Sequence, residues 1–230
     1  MAAPVAPADL DARLTETGLE IAPGAPAEVS HKRLLLIACG ALAREVLALI
    51  EANGWQNLMA LACLPAKLHN RPDAIPGAVR ARIQRARAEG YGRIFVLYAD
   101  CGTGGGLDRV CAEEGVERIP GPHCYAFFSG TEAFAARAEA GEITAFYLTD
   151  FLARQFDALV WRGMGLDRHP ELLAMMFGNY ERLVYLAQTD DPALDARARE
   201  AAVKLGLSYE RRFTGYGELA QALEAAAGSA

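Results

Sequence analysis

The stretch 34-LLLIACGALAREVLALI-50 decides the fold class of this chain. It opens on a continuous apolar run, which is typical of a β-strand that is buried on both faces of a parallel sheet. After Gly40, apolar residues at positions 42, 46, 49 and 50 recur with the period of an α-helix. The stretch therefore predicts a strand over Arg33–Ala38 and a helix over Ala41–Asn53, which together begin a βαβ unit.

The same alternation of apolar runs and helical stretches continues along the chain. Strands are predicted over Leu58–Leu64, Arg93–Ala99 and Val116–Ile119, and helices over 75–89 and Leu107–Glu114. Alternating strands and helices are typical of an α/β fold with helices on both faces of the sheet. We therefore predict an α/β fold with a mostly parallel, doubly wound sheet.

The domain organisation is read from composition. Residues 1–30 are rich in Ala and Pro and are predicted to form a poorly ordered leader with a short helix from Asp9 to Glu20. The remaining residues, 31–230, are predicted to form a single α/β domain.

A weak internal similarity suggests a further division. The segments 93–124 and 182–215 each contain a strand, a helix closed by Gly and a second strand. They suggest two related βαβ lobes, 31–140 and 141–230, around a cleft. The alternative is that any two βαβ units share this pattern.

Charge and hydropathy exclude several classes of protein. The net charge of −6 and the pI near 5.3 argue against general nucleic-acid binding. No apolar stretch approaches the roughly 20 residues that a membrane span requires. The N-terminal stretch lacks the basic start and apolar core of a secretory signal. With no export signal, the five cysteines are predicted to be reduced thiols in the cytoplasm.

Three cysteines occupy similar positions relative to the predicted strands. Cys39 and Cys101 follow long apolar runs, and Cys124 follows a shorter one. The carboxyl ends of parallel strands face one crevice, so these three thiols are predicted to share a metal there. Zinc with an open fourth position and an open-site 4Fe–4S cluster both suit three cysteines. Cys63 and Cys111 are predicted to be separate, buried and apolar, which is also the alternative for the other three.

Four polar residues near these cysteines are candidates for metal ligation or proton transfer. His123 is predicted as a fourth metal ligand, because imidazole is a common one. His69 and Asp100 are predicted to transfer protons, and Glu45 to act as a base or to support a ligand. The alternative for Asp100 is that it caps the turn that follows it, and His69 is equally typical of a loop residue that caps a backbone carbonyl.

A glycine-rich turn and a polar loop complete the predicted site. The backbone N–H groups of Gly104, Gly105 and Gly106 precede a predicted helix and are predicted to bind an anionic group. Asn70 and Arg71 lie in the loop after the second strand and are predicted to reach the same crevice. The alternative for the glycines is a flexible turn that lets the backbone pass close to a ligand.

Four short motifs together resemble the domain-of-unknown-function family 1638. They are 39-CGALARE-45, 64-LPAKLHNRP-72, 98-YADCG-102 and 123-HCY-125, and the resemblance covers about residues 33–225. The resemblance implies no established reaction. It implies an association with corrinoid-dependent methyltransferases of methylamine-type metabolism, and hence with one-carbon metabolism.

The leading functional hypothesis is a cytoplasmic metal-dependent enzyme that acts on a small metabolite. The alternative is a non-catalytic carrier of a metal or cofactor, or an accessory partner of a corrinoid methyltransferase system. A third hypothesis is an enzyme without a metal that uses Cys101 as its nucleophile. Neither a nucleic acid nor a membrane is an expected partner.

Overall fold

The computed structural model describes residues 7–21, 33–139 and 144–228, which form two compact units. The first unit comprises Met1–Cys124 and Leu219–Ala230, and the second comprises Tyr125–Glu218. The α/β fold with a mostly parallel sheet is confirmed, because each unit contains a sheet of predominantly parallel strands. The units do not follow the expected lobes, since the boundary lies after Cys124 and the C-terminal helix returns to the first unit.

The first unit is built on a sheet of five strands. Its elements in chain order are α1 (Pro7–Glu16), β1 (Leu19–Ile21), β2 (Leu34–Cys39), α2 (Ala43–Ala52), β3 (Met59–Leu64), α3 (Ile75–Ala88), β4 (Arg93–Leu97), α4 (Gly106–Glu114) and β5 (Glu117–Arg118). The strand order is β1-β3-β2-β4-β5. All strands are parallel except β1, which pairs with β3 in the antiparallel direction at the edge.

Strand β2 occupies the centre of this sheet, as its uninterrupted apolar sequence predicts. All six of its residues are buried, and it pairs in parallel with β3 on one side and with β4 on the other. The register aligns Cys39 with Leu64 and Ala38 with Leu97. The carboxyl ends of the three strands therefore meet at one edge of the sheet.

The leader predicted over residues 1–30 is ordered from residue 7 to residue 21, and its other residues lie outside the described ranges. Leu14 of α1 is fully buried, and the Arg44 guanidinium binds the Asp11 carboxylate at 2.8 Å. A Cβ at Gly40 would lie 2.3 Å from the Leu14 carbonyl oxygen, so this close approach requires glycine. The Ala- and Pro-rich composition gave no sign of this packing.

The second unit contains a smaller sheet. Its elements are α5 (Cys124–Ser129), α6 (Thr131–Glu139), β6 (Ala145–Leu148), α7 (Asp150–Phe156), α8 (Glu171–Phe177), β7 (Arg182–Ala187), α9 (Pro192–Leu205) and β8 (Ser208–Phe213), and α10 (Glu218–Gly228) follows. The strands lie in the order β6-β7-β8, all parallel. The two predicted βαβ segments are β4-α4-β5 and β7-α9-β8, and each has parallel neighbouring strands.

None of the helices in the described ranges has both the length and the apolar character needed to cross a membrane.

A buried carboxylate ties the ends of β6 and β7 together. Asp150 follows β6 and is 1% exposed. One carboxylate oxygen accepts hydrogen bonds from the Tyr185 hydroxyl at 2.7 Å and from the Gln188 N–H at 3.0 Å. The other accepts from the N–H and the hydroxyl of Thr189, at 3.0 and 2.5 Å. Four donors converge on one carboxylate, so its burial is fully compensated.

We expect Asp150→Asn to destabilise the protein by about 2–4 kcal/mol, because an amide N–H₂ would face donors that need an acceptor. Urea unfolding measures the change. Asp157→Asn is the matched control, since Asp157 forms an exposed ion pair with Lys204 and should change stability by less than about 1 kcal/mol. Equal losses in the two variants would contradict the role given to Asp150.

Candidate functional site

The predicted cysteines lie where parallel strands of the first unit end. Cys39 is the last residue of β2, Cys101 lies in the turn after β4, and Cys124 is the first residue of α5, after β5. All five cysteines are free thiols. The strand ends therefore bring these side chains to the same edge of the five-stranded sheet, as predicted.

Cys39 is the centre of a group of four neighbouring thiols. Burial raises the pKa of Cys39 to about 11, although the Ala41 N–H, which donates to the sulfur at 3.4 Å, acts in the opposite direction. Burial also raises the pKa of Cys63, of Cys101 (to about 12) and of Cys124, and the nearby Cys39 adds to each rise. We call Cys39, Cys63, Cys101 and Cys124 the thiol cluster.

Cys63 was predicted to be buried and separate from the site. It is 4% exposed, so its predicted burial is confirmed. It pairs with Ala38, the residue before Cys39 on β2, and the charge of Cys39 adds to the rise in its pKa. Cys111 does lie apart, because it is buried in α4 and the charges that affect its pKa, after burial itself, are those of Arg118 and Asp108.

The backbone is strained where Cys101 enters the cluster. Among the described residues, Cys101 alone adopts a positive φ, of 50°, without being glycine. Such a conformation costs of order 1–3 kcal/mol and persists only where surrounding contacts hold it. The contacts here are hydrogen bonds from the Cys101 N–H to the Pro122 carbonyl at 2.9 Å and from the Asp100 N–H to the Gly121 carbonyl at 3.0 Å. The turns after β4 and β5 are thereby joined beside the thiols.

The glycine turn encloses a carboxylate of the chain itself. Asp100 accepts hydrogen bonds from the Thr103 hydroxyl at 2.7 Å and from the N–H groups of Gly105 at 2.9 Å and Gly104 at 3.2 Å. The N–H of Gly106 donates to the Thr103 carbonyl at 3.1 Å. The amides predicted to bind an external anion therefore already have acceptors within the turn. This arrangement argues against a phosphate-binding role for the three glycines.

The same contacts favour the turn-capping alternative for Asp100. The Thr103 hydroxyl and the glycine amides lower the pKa of Asp100, because they stabilise the ionised form. A carboxylate with a lowered pKa is a poor proton acceptor near neutral pH. General-base catalysis by Asp100 stays a prediction, and its contacts support it less well than they support capping.

Two histidines lie at the rim of the site. His69 is half-buried in the 3₁₀ turn Ala66–Asn70 that follows β3, and burial lowers its pKa. The ring of His123 is exposed, yet its pKa is lowered by desolvation and further by the nearby His69, while Asp100 acts in the opposite direction. The loops after β3, β4 and β5 therefore bring His69, Asp100 and His123 close enough for the charges of the first two to affect the pKa of His123.

Glu45 lies on the inner side of the site. It is in the first turn of α2 and is 3% exposed. Its charge contributes to the raised pKa values of Cys39, Cys63 and Cys124, for each of which burial is the largest cause. A buried carboxyl group therefore lies near enough to the thiols to affect their pKa values, and its role as a base or as support for a ligand stays a prediction.

The loop with Asn70 and Arg71 lies on the same edge of the sheet. Both residues are exposed at the end of the 3₁₀ turn after β3. A Cβ at Gly102 would lie 3.6 Å from Pro72, so this loop is in contact with the glycine turn. The structure thus brings both residues near the rim of the site and assigns no ligand to either.

Tyr98 is a member of the site that sequence reasoning missed. It is 1% exposed, and burial raises the pKa of its hydroxyl, with Cys39, Cys63 and Cys101 adding to the rise. The hydroxyl lies beside the Cys39 sulfur but forms no hydrogen bond of accepted geometry with any described residue. The sequence signal that could have identified Tyr98 as a site residue is its position at the end of an apolar strand.

The thiols of the cluster lie near one another but are not arranged as the ligands of a metal ion. Within the described ranges, no three side chains of His, Cys, Asp or Glu are arranged so that they could hold a metal ion. The predicted ligand set of Cys39, Cys101, Cys124 and His123 therefore stays a prediction.

Comparison with known proteins gives a family. The family model described as "Protein of unknown function (DUF1638)" matches residues 63–223, more than half of the chain. The chain belongs to this family. The match to DUF1638 is shorter than the expected 33–225, and it includes Cys101 and Cys124 but begins after Cys39. No curated protein and no solved structure gives a significant match.

We expect the free energy of unfolding to fall as the pH rises above about 8.5, the pKa of a cysteine thiol in the unfolded chain. The fall should continue up to the folded pKa values, which are about 11 for Cys39 and about 12 for Cys101. In this window the unfolded state has lost protons that the folded state retains. Urea unfolding at a series of pH values measures the slope. Cys101→Ser should make the slope shallower, and an unchanged slope would contradict the raised pKa.

We expect Asp100→Ala to destabilise the protein by about 1–2 kcal/mol, because three donors in the glycine turn lose their acceptor. Asp100→Asn should lose less, since the amide oxygen still accepts hydrogen bonds. Thermal unfolding measures both. Asp73→Ala, at an exposed site in the neighbouring loop, serves as the control. A silent Asp100→Ala would remove the capping role.

Proposed function

We propose that this chain is a metalloprotein in which Cys39, Cys101 and Cys124 hold a zinc ion or an iron–sulfur cluster with one open coordination position. The observation that carries the proposal is the position of Cys39 at the carboxyl end of the central strand, beside the other cluster thiols. Thiolates are soft ligands that select zinc and iron–sulfur clusters over magnesium or calcium. His123, at the rim, is the candidate for a fourth ligand.

The raised pKa values favour a metal over an enzyme that uses a thiol alone. A nucleophilic cysteine needs a substantial thiolate fraction near neutral pH, and this usually requires a lowered pKa. Burial instead raises the pKa of Cys101 to about 12. A metal ion removes the proton of a coordinating thiol outright, so a buried, protonated thiol is compatible with metal binding.

We propose that the metal site is catalytic and that its substrate is a small metabolite. The metal would act as a Lewis acid at its open position. His69 supports this proposal, because burial lowers its pKa and leaves the imidazole neutral and able to accept a proton near pH 7. Glu45 would act from the buried side, as a base or as a support for a ligand.

The alternative is a non-catalytic carrier of a metal or cofactor. The exposed ring of His123 favours it, because a carrier needs an accessible rim through which it can pass on its cargo. An accessory role beside a corrinoid methyltransferase, in one-carbon metabolism, is the form of this alternative that the family resemblance suggested. In either case we propose a cytoplasmic location, where the five thiols would stay reduced.

Anaerobic purification followed by analysis of zinc, iron and acid-labile sulfide tests the metal site. About one zinc, or about four irons with four sulfides, is the expected result. Replacing Cys39, Cys101 or Cys124 by Ala should each remove the metal. Cys111→Ala is the matched control, because Cys111 is equally buried but lies outside the cluster, and it should retain the metal.

A wild-type protein that binds no metal under these conditions, or a Cys111→Ala variant that loses it as the others do, would overturn the proposal. Cys63→Ala tests whether the fourth ligand is His123 or Cys63. Loss of metal in this variant would indicate that Cys63, and not His123, is the fourth ligand. Removal of metal by a chelator distinguishes the two functions. A carrier should release its metal while folded, and an enzyme should retain it.

A further inference from the structure

The Tyr98 hydroxyl is a buried polar group whose position is otherwise unexplained. The side chain is 1% exposed, and within the described part of the chain its oxygen forms no hydrogen bond of ordinary geometry, although the Cys39 thiol is near enough to affect the pKa of the hydroxyl. Buried hydroxyl groups are nearly always paired, because leaving one unpaired costs free energy. The contrast with Tyr185 is direct, since that buried hydroxyl donates to Asp150 at 2.7 Å.

The register of the sheet places Tyr98 beside Cys39. Ala38 pairs with Leu97 across β2 and β4, so the next residues on the two strands, Cys39 and Tyr98, are neighbours at the carboxyl edge. Burial raises the pKa of the hydroxyl, and the charges of Cys39, Cys63 and Cys101 add to the rise. The register and these charges both indicate that Cys39 is a neighbour of the hydroxyl.

We propose that Tyr98 donates a hydrogen bond to the Cys39 sulfur when that sulfur is bound to a metal. This inference rests on the metal site proposed above. A neutral thiol is a weak acceptor, whereas a metal-bound cysteine is a thiolate and accepts strongly. The Cys39 sulfur already accepts from the Ala41 N–H, so Tyr98 would supply its second donor.

This role makes Tyr98 a positioning residue. Hydrogen bonds to ligating atoms orient them, and their loss typically weakens metal binding by 10–100-fold. Hydrogen bonds to cysteine sulfurs also lower the energy of the sulfur electrons and thereby tune the electronic properties of the centre. Tyr98 would thus affect both the affinity for the metal and its spectrum without being a ligand.

Tyr98→Phe tests this, with Tyr185→Phe as the matched control, because each removes one buried hydroxyl. In the metal-free protein, Tyr98→Phe should leave the melting temperature unchanged or raise it, while Tyr185→Phe should lower it. Cobalt(II), added anaerobically to the metal-free full-length chain, is the metal probe. We expect Tyr98→Phe to bind it about 10–100-fold more weakly and to shift the sulfur-to-cobalt charge-transfer band to lower energy, with neither change in Tyr185→Phe.

Three other outcomes would overturn the inference, and they are distinguishable. If the wild-type protein binds cobalt(II) without a sulfur-to-cobalt band, both the metal site and the role of Tyr98 fail. If Tyr98→Phe matches the wild type in affinity and in spectrum, the metal site stands and only the role of Tyr98 fails. If Tyr98→Phe destabilises the metal-free protein as much as Tyr185→Phe does, the hydroxyl already has a partner and is not reserved for a metal-bound sulfur.

Discussion

The parallel pairing of β2 with β3 and β4 is the constraint on which the first unit depends. Parallel strands that share one direction end at one edge, and every loop that leaves them begins there. The positions of Cys39, His69 and Asp100 follow from this single arrangement. A completely apolar central strand enforces it, because each residue of β2 loses contact with water only if both neighbouring strands are in place.

The buried polar groups at the carboxyl edges of the two sheets differ in how completely they are hydrogen-bonded. In the second unit, Asp150 is surrounded by enough donors to compensate its burial completely. In the first unit, buried thiols and the Tyr98 hydroxyl lie together, and the hydroxyl forms no hydrogen bond of ordinary geometry with the described residues. Asp150 therefore has its hydrogen bonds within the chain, whereas under the proposed function the Tyr98 hydroxyl would gain an acceptor when a metal ionises the thiols. This difference is why the functional proposal concerns the first unit.

Much of the fold was predictable because apolar runs and helical periodicity are local properties of the sequence. The positions of Cys39, Cys101 and Cys124 at or after strand ends were predictable too, since strand ends can be located without knowing how the strands pair. Cys63 and Tyr98 were missed because their places depend on register, which is decided by neighbours far away in sequence. In the N-terminal segment the predicted short helix corresponds to α1, whereas β1 was missed, since this strand is stabilised by β3 and not by its own composition.

The short strand β1 has a consequence for how the protein behaves in solution. It covers the outer edge of β3, where Leu19, Glu20 and Ile21 pair with Cys63, Ala62 and Leu61. A chain that lacks residues 1–30 would expose the N–H and carbonyl groups along the outer edge of the apolar strand β3. Such an edge is a template for strand addition between chains, so the shortened protein should aggregate. By pairing with β3, this N-terminal segment occupies the hydrogen-bonding edge that another chain would otherwise use.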